Sequence, residues 1–335
     1  MATIKQVSEL AGVSSATVSR VINNADSVKE KTRNLVLEAM RTLGYRHNVI
    51  AASLASNKTN TIGYVVPELH GSFFGPMMSG SEAELRNANK HMFVATGHSD
   101  EKVEQEEIEA LLGRRCDGLI LHVEAVSDSY LIDLARQDVP FVVVNRYIEE
   151  IGDYCISLDN VQGGYLATKT LLDAGHKDIA YIAGSLFKAD ARERLTGHKQ
   201  ALEEAGIMFN PALFYEGDFQ AHSGFEGMMS LVGHLDAFTA VACANDEMAS
   251  GAIEALRQEG IDVPQNCSVI GFDNIEFSSY LTPKLTTVNY PMREIGQMAA
   301  RWILARAYGK ETLELEHVLP PHIIERDSIT RPRRR

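Results

Sequence analysis

The chain has 335 residues, enough for two or three packed units each with its own core, and its 45% hydrophobic and 23% charged content is that of an ordinary globular protein. With 45 acidic against 32 basic side chains the formal net charge is −13, which taken whole argues against a polyanionic partner. No apolar run approaches the roughly 18–20 residues needed to cross a bilayer, the opening MATIKQVSEL does not read as a signal peptide, and Cys116, Cys155, Cys243 and Cys267 lie too far apart for a zinc site or disulfide scaffold, so a cytoplasmic protein with buried free thiols is expected.

The charge is unevenly spread. Residues 1–60 carry eight Lys/Arg against four Asp/Glu, a net +4, so the remainder, with 24 basic and 41 acidic residues, stands at −17. A basic head on an acidic body is expected where only the head meets nucleic acid. Within the head, Thr3 and Gln6 have capping-box spacing, predicting a helix with Ile4, Val7, Leu10 and Ala11 on one apolar face. Gly12 ends it, since glycine adopts a left-handed C-terminal position at low cost, and Val13 plugs the turn. Ser14 is placed to cap a second helix that turns Ala16, Val18, Val21 and Ile22 inward and leaves Ser15, Thr17, Ser19, Arg20, Asn23 and Asn24 polar. Ser27 and Glu30 repeat the capping-box spacing before a third apolar face of Val28, Leu35, Val36, Ala39, Met40 and Leu43.

Helix, glycine turn, helix and supporting helix is the helix-turn-helix order, whose second helix enters the DNA major groove. Short Ser, Thr and Asn side chains reach phosphates without holding that helix away, and Arg20 suits a bidentate bond to guanine. A plain three-helix domain with a solvated face is the bland reading. It is disfavoured because cap, glycine, polar face and positive charge coincide.

On TIKQVSELAGVSSATVSRVINN and GYRHNVIAASLASNKTNTIGYVVP the sequence resembles the lactose-repressor/galactose-repressor family of bacterial transcription regulators, over nearly the whole chain and leaning toward the galactose and β-glucoside repressors. The resemblance implies that Ser15, Ala16 and Arg20 read bases while Thr3, Ser14, Thr17 and Asn23 hold phosphates. It makes Asn48 to Asn57 a hinge helix that folds on DNA in the dimer, with Leu54 wedged into the minor groove; His47 stands where the family usually has Pro, and Ala52 where it has Arg. The expected division is a helix-turn-helix domain over 1–47, hinge and linker over 48–60, and an effector-binding and dimerisation body over 61–335.

Along the body, TIGYVVP, MFVAT, DGLILH, FVVVNR, DIAYIAG, AVACAND and SVIGFDN read as buried strands between helix-length amphipathic stretches, a doubly wound α/β pattern occurring in two sets. The second set opens near Asn160–Gly164. The resemblance implies a periplasmic-binding-protein-like body crossed three times by the chain: lobe one about 61–160 and 291–321, lobe two about 161–290 and 322–330.

Ligands of parallel sheets sit at the strands' carboxyl ends, where Asn145-Arg146, Asn245-Asp246 and Asp273-Asn274 fall; Arg194 near a helix start and Phe73, Phe74 and Phe219 in loops complete a set suited to sugar hydroxyls and C–H faces. By the resemblance, Arg194, Asn245 and Asp273 are core effector contacts, while Arg146, Phe219, Phe73 and Phe74 shape the pocket. Asp246 is placed to cap the next helix, Arg194 and Asp273 also suit a structural ion pair, and QGGYLA reads as helix packing.

The effector class expected is a neutral sugar, because Lys188 stands where a purine-binding relative would have Arg; a purine- or nucleoside-responsive regulator is the alternative. A transporter's solute-binding protein fits the body but not the head. No P-loop, GxGxxG after a strand, GxSxG or HExxH supports an enzyme, and no cofactor or metal site is expected. The partners expected are duplex operator DNA and a second copy; no leucine heptads follow to build a larger assembly, and the terminal TRPRRR reads as a solubilising tail.

Overall fold

The structure, a computed structural model, describes residues 2–22, 27–46, 53, 57–233, 237–309 and 316–332. It divides into two units, Met1–Thr59 and Asn60–Arg335. No helix among the described residues is long and apolar enough to cross a membrane.

The first unit is built from α1 (Ile4–Ala11), α2 (Ser15–Ile22) and α3 (Glu30–Thr42). Thr3 and Gln6 form the reciprocal capping box, and Gly12 closes α1 with φ of 65°. Val7, Val18, Val21, Val36 and Ala39 form the core, with Val13 packed against it. Three apolar positions expected inside fall outside: Leu10 is 53% and Leu35 49% exposed, and Ala16 is exposed and not turned inward, because three short helices enclose only a narrow stripe of each face. Ser27 and Glu30 form no capping box. Helix α3 begins at Glu30 behind Lys29, whose side chain makes no cap bond, so Glu30 sits two residues before the position from which a box residue reaches back.

The second unit holds two six-stranded sheets. Its elements are β1 (Thr61–Val66), α4 (Phe74–Asn87), β2 (His91–Thr96), α5 (Glu101–Gly113), β3 (Gly118–Leu121), α6 (Asp128–Ala135), β4 (Phe141–Val144), β5 (Cys155–Leu158), α7 (Asn160–Asp173), β6 (Ile179–Ala183), α8 (Ala189–Glu204), β7 (Phe214–Glu216), α9 (Ala221–Val232), β8 (Ala240–Cys243), α10 (Asp246–Gln258), β9 (Ser268–Asp273), β10 (Thr286–Asn289), α11 (Met292–Tyr308), β11 (Val318–Leu319) and β12 (His322–Ile324). One sheet runs β11-β5-β4-β3-β1-β2, all parallel; the other runs β12-β10-β9-β8-β6-β7, with only β12 antiparallel. The chain passes between sheets after β5, after β10 and after β11, and helix α11 returns to pack on α4 and on β3 and β4 of the first sheet.

All seven apolar runs are strands, and helix cover leaves nearly every residue of β1, β3, β4, β6, β8 and β9 buried, but MFVAT is not the buried strand expected: β2 lies at the edge of its sheet, with Phe93 50% and Val94 39% exposed. Within lobe two the QGGYLA segment lies in α7, pressed on α8. A Cβ on Gly164 would stand 2.0 Å from the Arg194 carbonyl oxygen, and one on Gly197 1.9 Å from that of Val161. Only glycine lets the two backbones approach so closely, and the contact sets where Arg194 enters the interlobe space.

Candidate functional site

Loops at the carboxyl ends of β1, β3, β4, β6, β7, β8 and β9 converge on a cavity of about 580 Å³ between the two lobes. Arg194 is its anchor. Though only 2% exposed, its guanidinium bonds the Ala244 carbonyl at 2.6 Å, Asn160 Oδ1 at 3.0 Å and Asp273 Oδ1 at 3.2 Å, and lies 3.7 Å over the Phe272 ring. Burial pushes the Asp273 carboxyl up to about 7, against the pull of the Arg194 charge in the other direction. Asp190, one turn before Arg194, approaches its Nη2 at 4.0 Å.

Asn145 ties the lobes together. Its Nδ2 donates to Asp190 Oδ2 at 3.3 Å across the cleft, and its Oδ1 accepts from the Tyr290 hydroxyl at 2.7 Å. The same Nδ2 stands 3.3 Å from Nε2 of His122, whose burial lowers its pKa to about 4 and keeps the ring neutral. Phe73 meets Phe74 edge-on at 5.4 Å and Tyr290 at 5.0 Å, giving one aromatic wall. Phe219 supplies the opposing ring. Its backbone has φ of 74°, and its ring lies on Gly184, where a Cβ would come within 2.2 Å.

Asn245 fixes that ring in place. Its Oδ1 caps α10 by accepting from Met248 N at 2.9 Å, and its Nδ2 donates to the Phe219 carbonyl at 2.8 Å. The cap is therefore Asn245 and not Asp246. Asp246 is the first helical residue and turns inward, accepting from the Thr287 hydroxyl at 2.6 Å and Ile275 N at 2.9 Å.

In the head, Ser14, Ser15, Ala16 and Arg20 are exposed on one side of α2 and its turn, opposite buried Val18 and Val21. Ser14 Oγ accepts from Thr17 N at 3.1 Å and lies 2.9 Å from the Thr17 hydroxyl, while Ser15 Oγ donates to Ser8 Oγ at 3.2 Å. Two neighbouring helices are thereby held at a fixed angle while a small polar face stays free to meet a groove.

The description "Bacterial regulatory proteins, lacI family" matches residues 3–48, and "Periplasmic binding protein-like domain" matches 168–329. The HTH-type transcriptional regulator GalR of Escherichia coli (strain K12) is 40% identical over 332 residues, 99% of this chain and 97% of the relative. The chain belongs to the lacI family. Among solved structures, the Lac repressor dimer bound to operator and the anti-inducer ONPF aligns with a TM-score of 0.86 at 30% identity, over 98% of this chain and 99% of that one. A complex of the transcriptional regulator CelR with cellobiose aligns with a TM-score of 0.72 at 31% identity, covering 98% and 100%.

This lacI-family chain is a DNA-binding transcriptional regulator and not an enzyme. Of the effector residues expected from sequence, Phe73, Phe74, Arg194, Phe219, Asn245 and Asp273 all line the one cavity. Arg146 does not. It lines an adjoining recess, where its guanidinium is held by Asp128 and by the Val126 carbonyl at 2.8 Å. Its neighbour Asn145 takes the cleft position, because a φ of 65° at Asn145 swings the chain after β4.

Sequence reasoning did not single out Glu68, Glu124, Asp190, Asp218 or Glu247, which also line the cavity; they stand in loops or in the first turn of a helix, where no periodic signal marks them. Of the DNA-facing residues, Thr3 is engaged in the α1 cap, and Asn23 and Leu54 lie outside the described residues, as do His47 and Ala52. Among the described residues no group of three or more His, Cys, Asp or Glu side chains is arranged to hold a metal ion.

Proposed function

We propose that the protein is a cytoplasmic repressor that binds a palindromic operator as a homodimer and is released when a small neutral sugar enters the interlobe cleft. The composition of that cleft carries the reading. Six carboxylates line it (Glu68, Glu124, Asp190, Asp218, Glu247 and Asp273), against Lys188 and Arg194. Both cations are already paired, Lys188 with Glu124 at 2.9 Å and Arg194 with Asp273 at 3.2 Å. An anionic effector such as a sugar phosphate meets net negative charge there and no free cation. A neutral polyol instead finds acceptors for its hydroxyls and the Phe73, Phe74 and Phe219 rings for its C–H faces.

In this reading Asp273 and Arg194 bridge neighbouring hydroxyls, and Asn245 acts by holding Phe219. Ser15, Ala16 and Arg20 read bases while Thr3, Ser14, Thr17 and Asn23 fix register on phosphates and Leu54 wedges the central step. Effector binding favours one relative orientation of the lobes, to which the Asn145–Asp190 bond is sensitive, and DNA favours the other. Linkage then makes each ligand weaken the other by the same factor.

The test is binding of a labelled palindrome from the gene's own upstream region at fixed salt, with a panel of sugars and nucleosides. Release by a neutral sugar supports the reading. Tighter binding with a nucleobase moves the protein to a corepressor class, and no specific binding under any condition overturns it.

A further inference from the structure

We propose that the cleft continues into a second ring-binding subsite between Tyr147 and Phe187, so that the preferred effector is a two-ring glycoside and not a lone monosaccharide. The proposal rests on the sugar reading above and names the class of sugar. A recess of about 640 Å³ adjoins the effector cavity and shares with it Glu124, Asn145, Lys188 and Asp190. The Lys188–Glu124 ion pair stands in this common wall, its side chains largely buried. A ligand that spans both spaces must bridge or part that pair.

The far side of the recess is unlike a core. Tyr147 is 49% and Phe187 58% exposed, and they come from opposite lobes, the one after β4 and the other just before α8. Large apolar rings exposed together at a concave site mark ligand contact. The Tyr147 ring and the backbone that carries Phe187 are both held in place. The Tyr147 hydroxyl rests against Gly152, where a Cβ would come within 2.6 Å. Arg192 Nη1 bridges the carbonyls of Leu186 and Phe187 at 2.7 and 2.5 Å, fixing the turn that carries Phe187. Pre-organised aromatic surface gives up its hydration on binding with little loss of side-chain entropy.

The polar chemistry of the recess also suits a neutral ring. Arg146 is paired with Asp128, Lys188 with Glu124, and Arg192 is turned onto the Leu186 and Phe187 carbonyls, while Asp190 and Glu193 add negative charge, so the recess as a whole does not favour a phosphate. At the floor, His122 accepts from Asn145 through Nε2, which leaves the proton of the neutral ring on a buried Nδ1 that has no hydrogen-bond partner.

Calorimetric titration of the full-length protein with galactose and glucose, against lactose, cellobiose and p-nitrophenyl β-galactoside, tests the proposal in the wild type and in Tyr147→Ala and Phe187→Ala. A glycoside is expected to bind about tenfold or more tightly than its monosaccharide, and each variant to reduce that advantage toward parity. Monosaccharide affinity and the thermal midpoint should not change. Preference for a disaccharide or for the aryl glycoside tells which second ring the subsite takes. Equal affinities in the wild type, or variants that leave the glycoside advantage intact, overturn the second subsite while the sugar reading stands. If no sugar of either size binds, both fall.

Discussion

Replacing Arg194 by Met keeps most of its apolar stem but removes the buried cation and its contact over the Phe272 ring. The change strands three acceptors on buried residues, Asn160 Oδ1, the Ala244 carbonyl and Asp273 Oδ1. Breaking one side of a buried pair of this kind costs about 3–5 kcal/mol, which at roughly 2–4 °C per kcal/mol for a unit of this size lowers the thermal midpoint by about 6–20 °C.

The cost depends on pH, and its sign follows from Asp273. That carboxyl is held up to about 7 by burial and would sit higher still without the guanidinium, which pulls it down. A carboxyl raised above its unfolded value stabilises the fold most fully at low pH, and the contribution fades as pH climbs to the folded pKa. In the wild type this loss is complete near pH 7; in Arg194→Met it continues above. The gap in stability should therefore widen from about pH 6 to about pH 9, by up to about 1.4 kcal/mol per unit.

Circular dichroism melts across that range measure the gap, and operator release by the effector should be lost in the same variant. Adding Asp273→Asn removes the stranded charge, flattens the pH dependence and recovers about 1–3 kcal/mol without restoring the response. A gap that stays constant with pH, or an effector response unchanged in Arg194→Met, refutes the reasoning.

Three further changes probe separate links. Arg20→Ala, on the exposed face of α2, should weaken specific operator binding by about 1–3 kcal/mol, roughly five- to 150-fold, in a gel-shift titration. It should leave the melt of the second unit unmoved, because the two units are compact on their own. Gly164→Ala places a Cβ 2.0 Å from the Arg194 carbonyl oxygen, so α7 and α8 must part. Expected are about 1–3 kcal/mol of destabilisation by denaturant titration and a weakened effector response together; either one without the other contradicts the placement of Arg194 by this helix contact. Glu104 is fully buried and accepts from the backbone of Glu124, Ala125 and Val126 at 2.8, 2.9 and 2.8 Å, so it shapes the loop that carries Glu124 into the cleft. Glu104→Gln sets an amide donor against those N–H groups and should cost about 1–3 kcal/mol, read from the denaturation midpoint.

What could be read from sequence, and what could not, divides along the range of the interaction that decides each feature. Thr3 with Gln6 and Gly12 act through bonds three to four residues away, so their cap and stop are visible in the string itself. The long apolar strands declare themselves by composition, whereas β7, β11 and β12, of two or three residues, are too short to carry a period and exist only because longer neighbours offer them an edge. Ser27 and Glu30 show the limit of a local rule: the spacing is right, but the helix starts at Glu30, and the box needs it two residues further in.

The cleft divides in the same way. Residues directly behind an apolar strand, such as Asn245 and Asp273, could be placed because the strand's end is legible. Their roles could not: Asn245 acts through the Phe219 carbonyl, 26 residues away, and Asp273 through Arg194, 79 residues away. Asp190 and Glu124 become site residues only because the ends of two sheets meet, Asp190 facing Asn145 from the other lobe and Glu124 facing Lys188. The contacts that sequence hides are thus the long-range ones, and two of them, Asn145 with Asp190 and Glu124 with Lys188, cross between lobes. In a regulator whose response depends on how its lobes sit together, those are the contacts an effector can change, which is why substitutions at Asn145 or Asp190 should alter the operator response more than they alter the stability of either lobe.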